Sequence, residues 1–311
     1  MIMIKYYTRA CNFYYGSISK EKVKRKLSLP LSGNNLISFD NIEIITRKYK
    51  KKIHIREIKN QSNKNKKKIK EDIKLITMKK KFKKFNFLNF PILMGVINLT
   101  PDSFSDGGKY NKKNYGFNHA SYLIKKGCEI LDIGGESTRP GAKDVNKSIE
   151  WKRINKTLKK VRKLNKFISL DTRKSWIMEK GIKNKVNLIN DVSGFAYDAN
   201  TIYVLKKHKI PFVIHHMQGT PKNMQKNPRY KNVLLDIYDF FENKIKKIRS
   251  LGIKHNNIIL DPGIGFGKNL KHNITLINNI SIFHSLGFPI MLGVSRKKFI
   301  KDLSGNNDSK E

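Results

Sequence analysis

Ile130-Leu131-Asp132-Ile133-Gly134-Gly135-Glu136-Ser137-Thr138-Arg139-Pro140-Gly141 starts as a short apolar run and breaks off into glycines, hydroxyls and an arginine. A run this short, apolar on both alternating faces, suits a parallel strand buried on both sides. The same grammar recurs at Ile92–Ile97, Glu129–Ile133, Phe167–Leu170, Val186–Ile189, Phe212–Ile214, Ile258–Leu260 and Ile290–Val294. Between these runs, Asn118–Lys126 closed by Gly127, Ser148–Leu164, and Val233–Ser250 before Gly252 carry helical patterning. Strand–helix alternation of this kind implies a parallel α/β sheet.

The polar residues choose between the two common forms of such a sheet. Asn98 follows the first run, Gly134 to Arg139 the second, Asp171 the third and Asn190-Asp191 the fourth; His215-His216, Asp261 and Ser295-Arg296-Lys297 follow the last three. A polar cluster at the carboxyl end of every strand is the layout of a (β/α)₈ TIM barrel, whose site is assembled from all the strand–helix loops. A doubly wound sheet would gather them at one switch point. The expectation is a barrel.

Outward from these strands the composition narrows the classes. The chain has 311 residues, is 39% hydrophobic and carries 65 basic against 24 acidic side chains, a net of +41. No apolar run reaches the roughly 18 residues of a membrane span. Cys11 and Cys128 are too few for a disulfide framework, and no Cys/His cluster has zinc spacing. Arginine supplies only 11 of the basic residues and lysine the other 54, so the charge reads as compositional drift rather than a nucleic-acid surface, where arginine does most of the specific work. Residues 1–85 hold 25 basic and 6 acidic side chains with little sustained periodicity. They read as a lysine-rich, partly disordered extension, with Ile42–Ile45 and Ile53–Ile58 as short strand candidates, and residues 86–311 as the barrel. Low cysteine usage and the lack of a convincing signal peptide make the cytoplasm the default compartment.

Several residues stand where chemistry is done. Asn98 offers an amide oxygen to a hard cation such as Mg²⁺, at the head of a turn-rich loop, Asn98 to Gly108, that by itself reads as a mobile surface loop and in its functional reading as a lid over an anionic ligand. Thr138 and Arg139 supply donors for an anion or a heterocycle. Asp171 and Asp261 each end an apolar run, an expensive place for an unpaired carboxylate. With Asn190 they form an acceptor-rich set suited to the donor edge of an amino-heterocycle such as guanine or a pterin, and Lys297 adds a donor for a ring carbonyl. Asp261-Pro262-Gly263-Ile264-Gly265-Phe266-Gly267-Lys268 fails as a phosphate loop, because Pro262 replaces the first glycine and Asn269 the Ser or Thr. It reads instead as a strand and a tight loop that presents Phe266. Neither His215 nor His216 reads as a catalytic base.

Together these segments resemble the dihydropteroate synthase family over roughly Pro91 to Leu303. The resemblance is carried by Met94 to Gly108, Asp132 to Ala142, Asp171-Thr172, Asn190 to Gly194, His216-Met217-Gln218-Gly219, Asp261 to Lys268 and Ser295-Arg296-Lys297. It implies a transferase of folate biosynthesis that joins a dihydropterin diphosphate to p-aminobenzoate in a (β/α)₈ barrel. Asp171, Asn190, Asp261 and Lys297 would hold the pterin, with Thr138 beside the diphosphate and Asn98 as the Mg²⁺ ligand. Arg139, Pro140, Phe266 and Ser295 would shape the p-aminobenzoate pocket, and Lys297 and Arg139 would assist departure of the diphosphate. The implied partners are these small molecules. A homodimer is compatible with the resemblance, whereas a membrane or nucleic acid is not expected.

Family members continue beyond the segment matching Leu303 with a helix and an eighth strand bearing an Arg-x-His motif. The sequence in hand ends at Glu311, so the reading expects the last strand–helix unit to be missing. The missing unit and the charge support one rival, a decayed barrel kept for binding; another, a pterin-dependent methyltransferase on a similar barrel, would share the Asp and Asn pterin contacts. The long segments Asn98–Gly108 and Gly134–Ala142 favour the synthase over the methyltransferase.

Overall fold

Alternating isoleucines and an apolar helix stripe turn the basic amino-terminal segment into a folded sheet. The computed structural model describes residues 5–82, 85–86, 91–100, 114–139, 141–295, 297, 299–300 and 303. Strand β1 (Tyr7–Tyr15) leads through helix α1 (Gly16–Lys24) and β2 (Leu29–Leu31) into the long β3 (Asn34–Ile45), followed by β4 (Lys50–His54). β1, β2 and β4 all pair antiparallel with β3. Helix α2 (Asn63–Thr77) places Ile69, Ile73 and Ile76 on one face, and these pack with Ala10, Phe39, Ile42, Ile44, Ile53 and Ile58. β5 (Lys81–Phe82) and β6 (Phe85–Asn86) pair with each other.

For the described residues of the 1–85 segment, this corrects the expectation of a partly disordered extension. Lysine at the solvent positions hides the period: in β4 only Ile53 is buried, behind exposed Lys50, Lys51 and Lys52. Of the two strand candidates, Ile42–Ile45 falls within β3, while Ile53–Ile58 divides between β4 and a 3₁₀ turn at Ile55–Asn60. Chain contacts also redraw the boundary. One compact unit comprises Met1–Phe90, Tyr230–Lys244 and Leu270–Met291, and the other Pro91–Arg229, Ile245–Asn269 and Leu292–Glu311.

The second unit carries the parallel sheet. β7 (Met94–Asn98), β8 (Ile130–Gly134), β9 (Phe167–Asp171), β10 (Leu188–Asp191), β11 (Phe212–His215) and β12 (Ile258–Asp261) pair in sequence order without a reversal. That order is the barrel's and leaves no switch point for a doubly wound sheet. Helices α3 (Tyr115–Lys125), α4 (Lys147–Val161), α5 (Ser175–Lys183), α6 (Thr201–His208) and α7 (Val233–Ser250) separate successive strands, and α8 (Leu270–Asn278) follows β12. α7 has the limits read from the sequence.

Ile290–Val294 does not form the expected seventh strand. Ile290 makes an isolated bridge and residues 291–294 join no ladder. A five-residue apolar run has strand propensity, but a strand exists only through paired backbone, which periodicity does not report. Six strands of the barrel order are therefore seen among the described residues.

Phe39 is fully buried in the amino-terminal core, so Phe39→Ala should cost about 3–5 kcal/mol. Urea unfolding followed by circular dichroism reads this as a lowered midpoint. An unchanged midpoint would mean that residues 1–85 contribute no folded core.

Candidate active site

The strand register sets one polar row. Asn98 lies opposite Gly134, Gly134 opposite Asp171, and Asp171 opposite Asn190, so the ends of β7 to β10 meet in a single layer. Two residues deeper on β8 is Asp132, whose Oδ2 accepts a hydrogen bond from Asn190 Nδ2 at 3.0 Å. Asp132 Oδ1, Asp171 Oδ1 and Asn190 Oδ1 are buried without a hydrogen-bond partner among the described residues. A Cβ at residue 134 would lie 3.2 Å from Asp171 Oδ2, so Gly134 makes room for the carboxylate. Burial raises the Asp171 carboxyl well above the usual range, and the negative groups Asp132, Glu150, Asp191 and Glu136 push it further. Burial also raises Asp132, with Asp261 adding to the effect.

β11 and β12 supply the other side. Asp261 Oδ1 accepts from Gly263 N at 2.7 Å, and Oδ2 stands 4.0 Å from His215 Nε2. His215 Nδ1 donates to Val192 O at 2.9 Å, which places the ring proton on Nδ1. Burial pushes this histidine down to about 4, so it is neutral at neutral pH. The Phe266 ring meets His215 edge-on with centroids 4.7 Å apart. Above the same ring sits the Lys297 ammonium, 4.2 Å from the centroid. Burial holds Lys297 below the ordinary lysine range, and Asp261 opposes the shift. Gly263 has a φ of +67°, and a Cβ there would stand 1.9 Å from His216 O. Only glycine fits that turn.

A buried charge network carries the loop after β8. Glu136 accepts from Arg173 Nε at 3.0 Å and Nη2 at 2.9 Å, and from Lys174 Nζ at 2.9 Å. Lys174 also reaches Glu150 at 2.7 Å, which Thr172 Oγ1 contacts at the same distance. Arg153 Nη1 donates to Gly135 O at 2.8 Å, and Val145 N to Glu136 Oε1 at 2.8 Å. Gly141 N donates to Pro221 O at 3.1 Å, so the loops after β8 and β11 touch.

The structure therefore brings Asp171, Asn190, Asp261, Lys297 and Phe266 to one end of the sheet. Thr138 is half-buried and Arg139 exposed on the loop after β8; Ser295 and Asn98 are exposed. Pro140 and the lid segment 101–108 lie outside the described residues. Among the described residues, no group of three or more His, Cys, Asp or Glu is arranged to hold a metal, and no helix is long and apolar enough to cross a membrane. Sequence reasoning missed Asp132, although a carboxylate inside Ile130-Leu131-Asp132-Ile133 is itself a signal. It also missed the Glu136–Arg173–Lys174–Glu150 network, whose carboxylates lie more than twenty positions from the cations they pair with and carry no spacing to read.

Residues 94–311 match the family described as pterin binding enzyme. The chain is 41% identical over 225 residues to the dihydropteroate synthase of Neisseria meningitidis serogroup C, covering 71% of this chain and 80% of that one. Among solved structures, the Yersinia pestis dihydropteroate synthase in complex with a sulfonamide drug superposes with a TM-score of 0.68 at 36% identity, covering 73% of this chain and 83% of that chain. The Xanthomonas albilineans dihydropteroate synthase bound to 7,8-dihydropteroate gives a TM-score of 0.63 at 28% identity, covering 71% of this chain and 79% of that chain.

The raised carboxyls carry a pH signature. The native state keeps the Asp171 proton to a higher pH than the unfolded chain, so this group costs stability as pH rises from about 4 through the raised native value. Asp171→Asn should therefore raise the Tm by a few degrees at neutral pH, with the gain vanishing below about pH 4. Melting curves at the two pH values check this, and an equal gain at both would contradict it.

Proposed function

The chain belongs to the dihydropteroate synthase family of pterin-binding enzymes, and from that premise we propose how its residues condense (7,8-dihydropterin-6-yl)methyl diphosphate with p-aminobenzoate. The observation that carries the reading is the set of buried, unpartnered acceptors at Asp132, Asp171 and Asn190. A pterin presents an amino group and a ring N–H along one edge, and each satisfied acceptor removes a desolvation cost of about 1–3 kcal/mol. Asp261 extends the acceptor wall. Lys297 donates to the pterin carbonyl oxygen, and Phe266 offers its ring to the arylamine alongside Arg139, Pro140 and Ser295.

The reaction breaks the bond between the pterin methylene carbon and the diphosphate oxygen, and the electron pair leaves with the diphosphate. The arylamine nitrogen donates its lone pair to that carbon and loses a proton to the departing diphosphate or to solvent. Acceptors around the ring stabilise the cationic character that develops on the pterin, while Thr138 and Arg139 supply donors to the leaving group. Holding both substrates against fixed groups removes much of the entropic barrier.

Asn98 is the residue we assign to Mg²⁺. It is a single hard oxygen donor at a strand end, with no carboxylate cage among the described residues. That fits an ion that keeps its waters and arrives with a phosphate-bearing substrate. Bound there, Mg²⁺ would neutralise charge on the diphosphate.

Diphosphate release by the purified chain should require p-aminobenzoate. Lys297→Ala should lower kcat/KM by at least about 100-fold, and Asn98→Ala should raise the Mg²⁺ concentration needed for half-maximal rate. Release that ignores p-aminobenzoate, or survives Lys297→Ala intact, would refute the assignment.

A further inference from the structure

We propose that Lys268 is a positioning residue for the arylamine substrate: it pins the loop from Gly263 to Lys268 to the end of β11 and so sets the Phe266 ring. The inference rests on the functional reading above, because it concerns the half of that site which receives p-aminobenzoate.

Lys268 is only 3% exposed. Its Nζ donates to Phe266 O at 2.8 Å, lies 3.1 Å from His216 Nδ1, and reaches His216 O at 3.5 Å. Nζ thus has three polar partners, two on the residue that follows β11 and one on Phe266 itself. An apolar side chain of the same length would fill the space without the cost of burying an amine, so the donors are the reason for a lysine here.

The rest of the loop leads from Lys268 to the ring. Phe266 N donates to Gly263 O at 3.0 Å, which closes the turn. Gln225 Nε2 donates to Gly265 O at 2.6 Å, a second tie from the β11–α7 connection. A Cβ at Gly267 would stand 2.7 Å from Gln218 O, so the backbones run too close for any side chain between them. Lys268 is the clamp at the end of this turn, and the ring it orients is the one that His215 meets edge-on and Lys297 overlies. Its hydrogen bonds reach none of Asp132, Asp171 or Asn190. Loosening the clamp should therefore move the aromatic wall and leave the acceptor row in place.

The test compares Lys268→Met with Lys268→Gln in the full chain; Gln keeps a donor for Phe266 O without a buried charge. Lys268→Met should raise KM for p-aminobenzoate at least about tenfold, with kcat and KM for the dihydropterin diphosphate changed by less than about threefold. Amide hydrogen exchange at Phe266 should speed up about tenfold in the Met variant, and Lys268→Gln should recover most of both effects. A rise in both KM values together, or unchanged Phe266 exchange, would overturn the proposal. A Met variant that cannot fold beside a Gln variant that behaves as wild type would assign Lys268 to stability alone and overturn it equally. Absence of turnover in the unaltered chain would instead refute the functional reading, and the exchange comparison would still decide whether Lys268 pins the loop.

Discussion

Setting Asp132, Asp171 and Asn190 side by side leaves three buried oxygen acceptors without a hydrogen-bond partner among the described residues. The chain tolerates this only because its parallel strands fix the three residues on rigid backbone and Gly134 clears space for a carboxylate. Nearby cations do not relieve them. Arg173 and Lys174 are committed to Glu136, Asp144 and Glu150, so the strand ends stay acceptor-rich. A fold optimised for stability alone would pair or neutralise these groups.

The same commitment of charge builds the neighbouring loop. A buried Glu136 held by two cations, with Arg153 on Gly135 O, gives the turn after β8 a rigid base although Arg139 at its tip is exposed. Across the site the arrangement differs. His215 is neutral, Lys297 lies over an aromatic ring, and the loop from Gly263 to Lys268 is closed by its own hydrogen bonds. Strand-borne acceptors and a loop-borne aromatic wall suit a site that holds one substrate by its edge and admits a second beside it.

Much of this was legible in the sequence. Six of the seven apolar runs are strands, because strands buried on both faces leave a compact apolar signature, and the polar residues at their ends marked Asp171, Asn190 and Asp261. Ile290–Val294 was misread because backbone pairing leaves no trace in a short apolar run. The amino-terminal sheet was missed because lysines fill its solvent positions and because Phe39 and the helix stripe Ile69, Ile73 and Ile76 make sense only once they pack together. Asp132 was passed over as part of a strand, and Lys268 as the end of a failed phosphate loop. In both cases the partner that gives the residue meaning, Asn190 or His216, lies more than fifty positions away in the chain.

If the unpartnered acceptors serve to take a pterin's donor edge, binding of the pterin must move protons. Calorimetric titration with dihydropterin diphosphate at mildly acidic pH, in two buffers of different ionisation enthalpy, counts the protons exchanged on binding. Donors that reach Asp171 favour its charged form and lower its raised pKa. The account therefore predicts tight binding with proton release, and weaker binding without that release in Asp171→Asn. Binding with no proton release in the unaltered chain, or release that survives in Asp171→Asn, would contradict it.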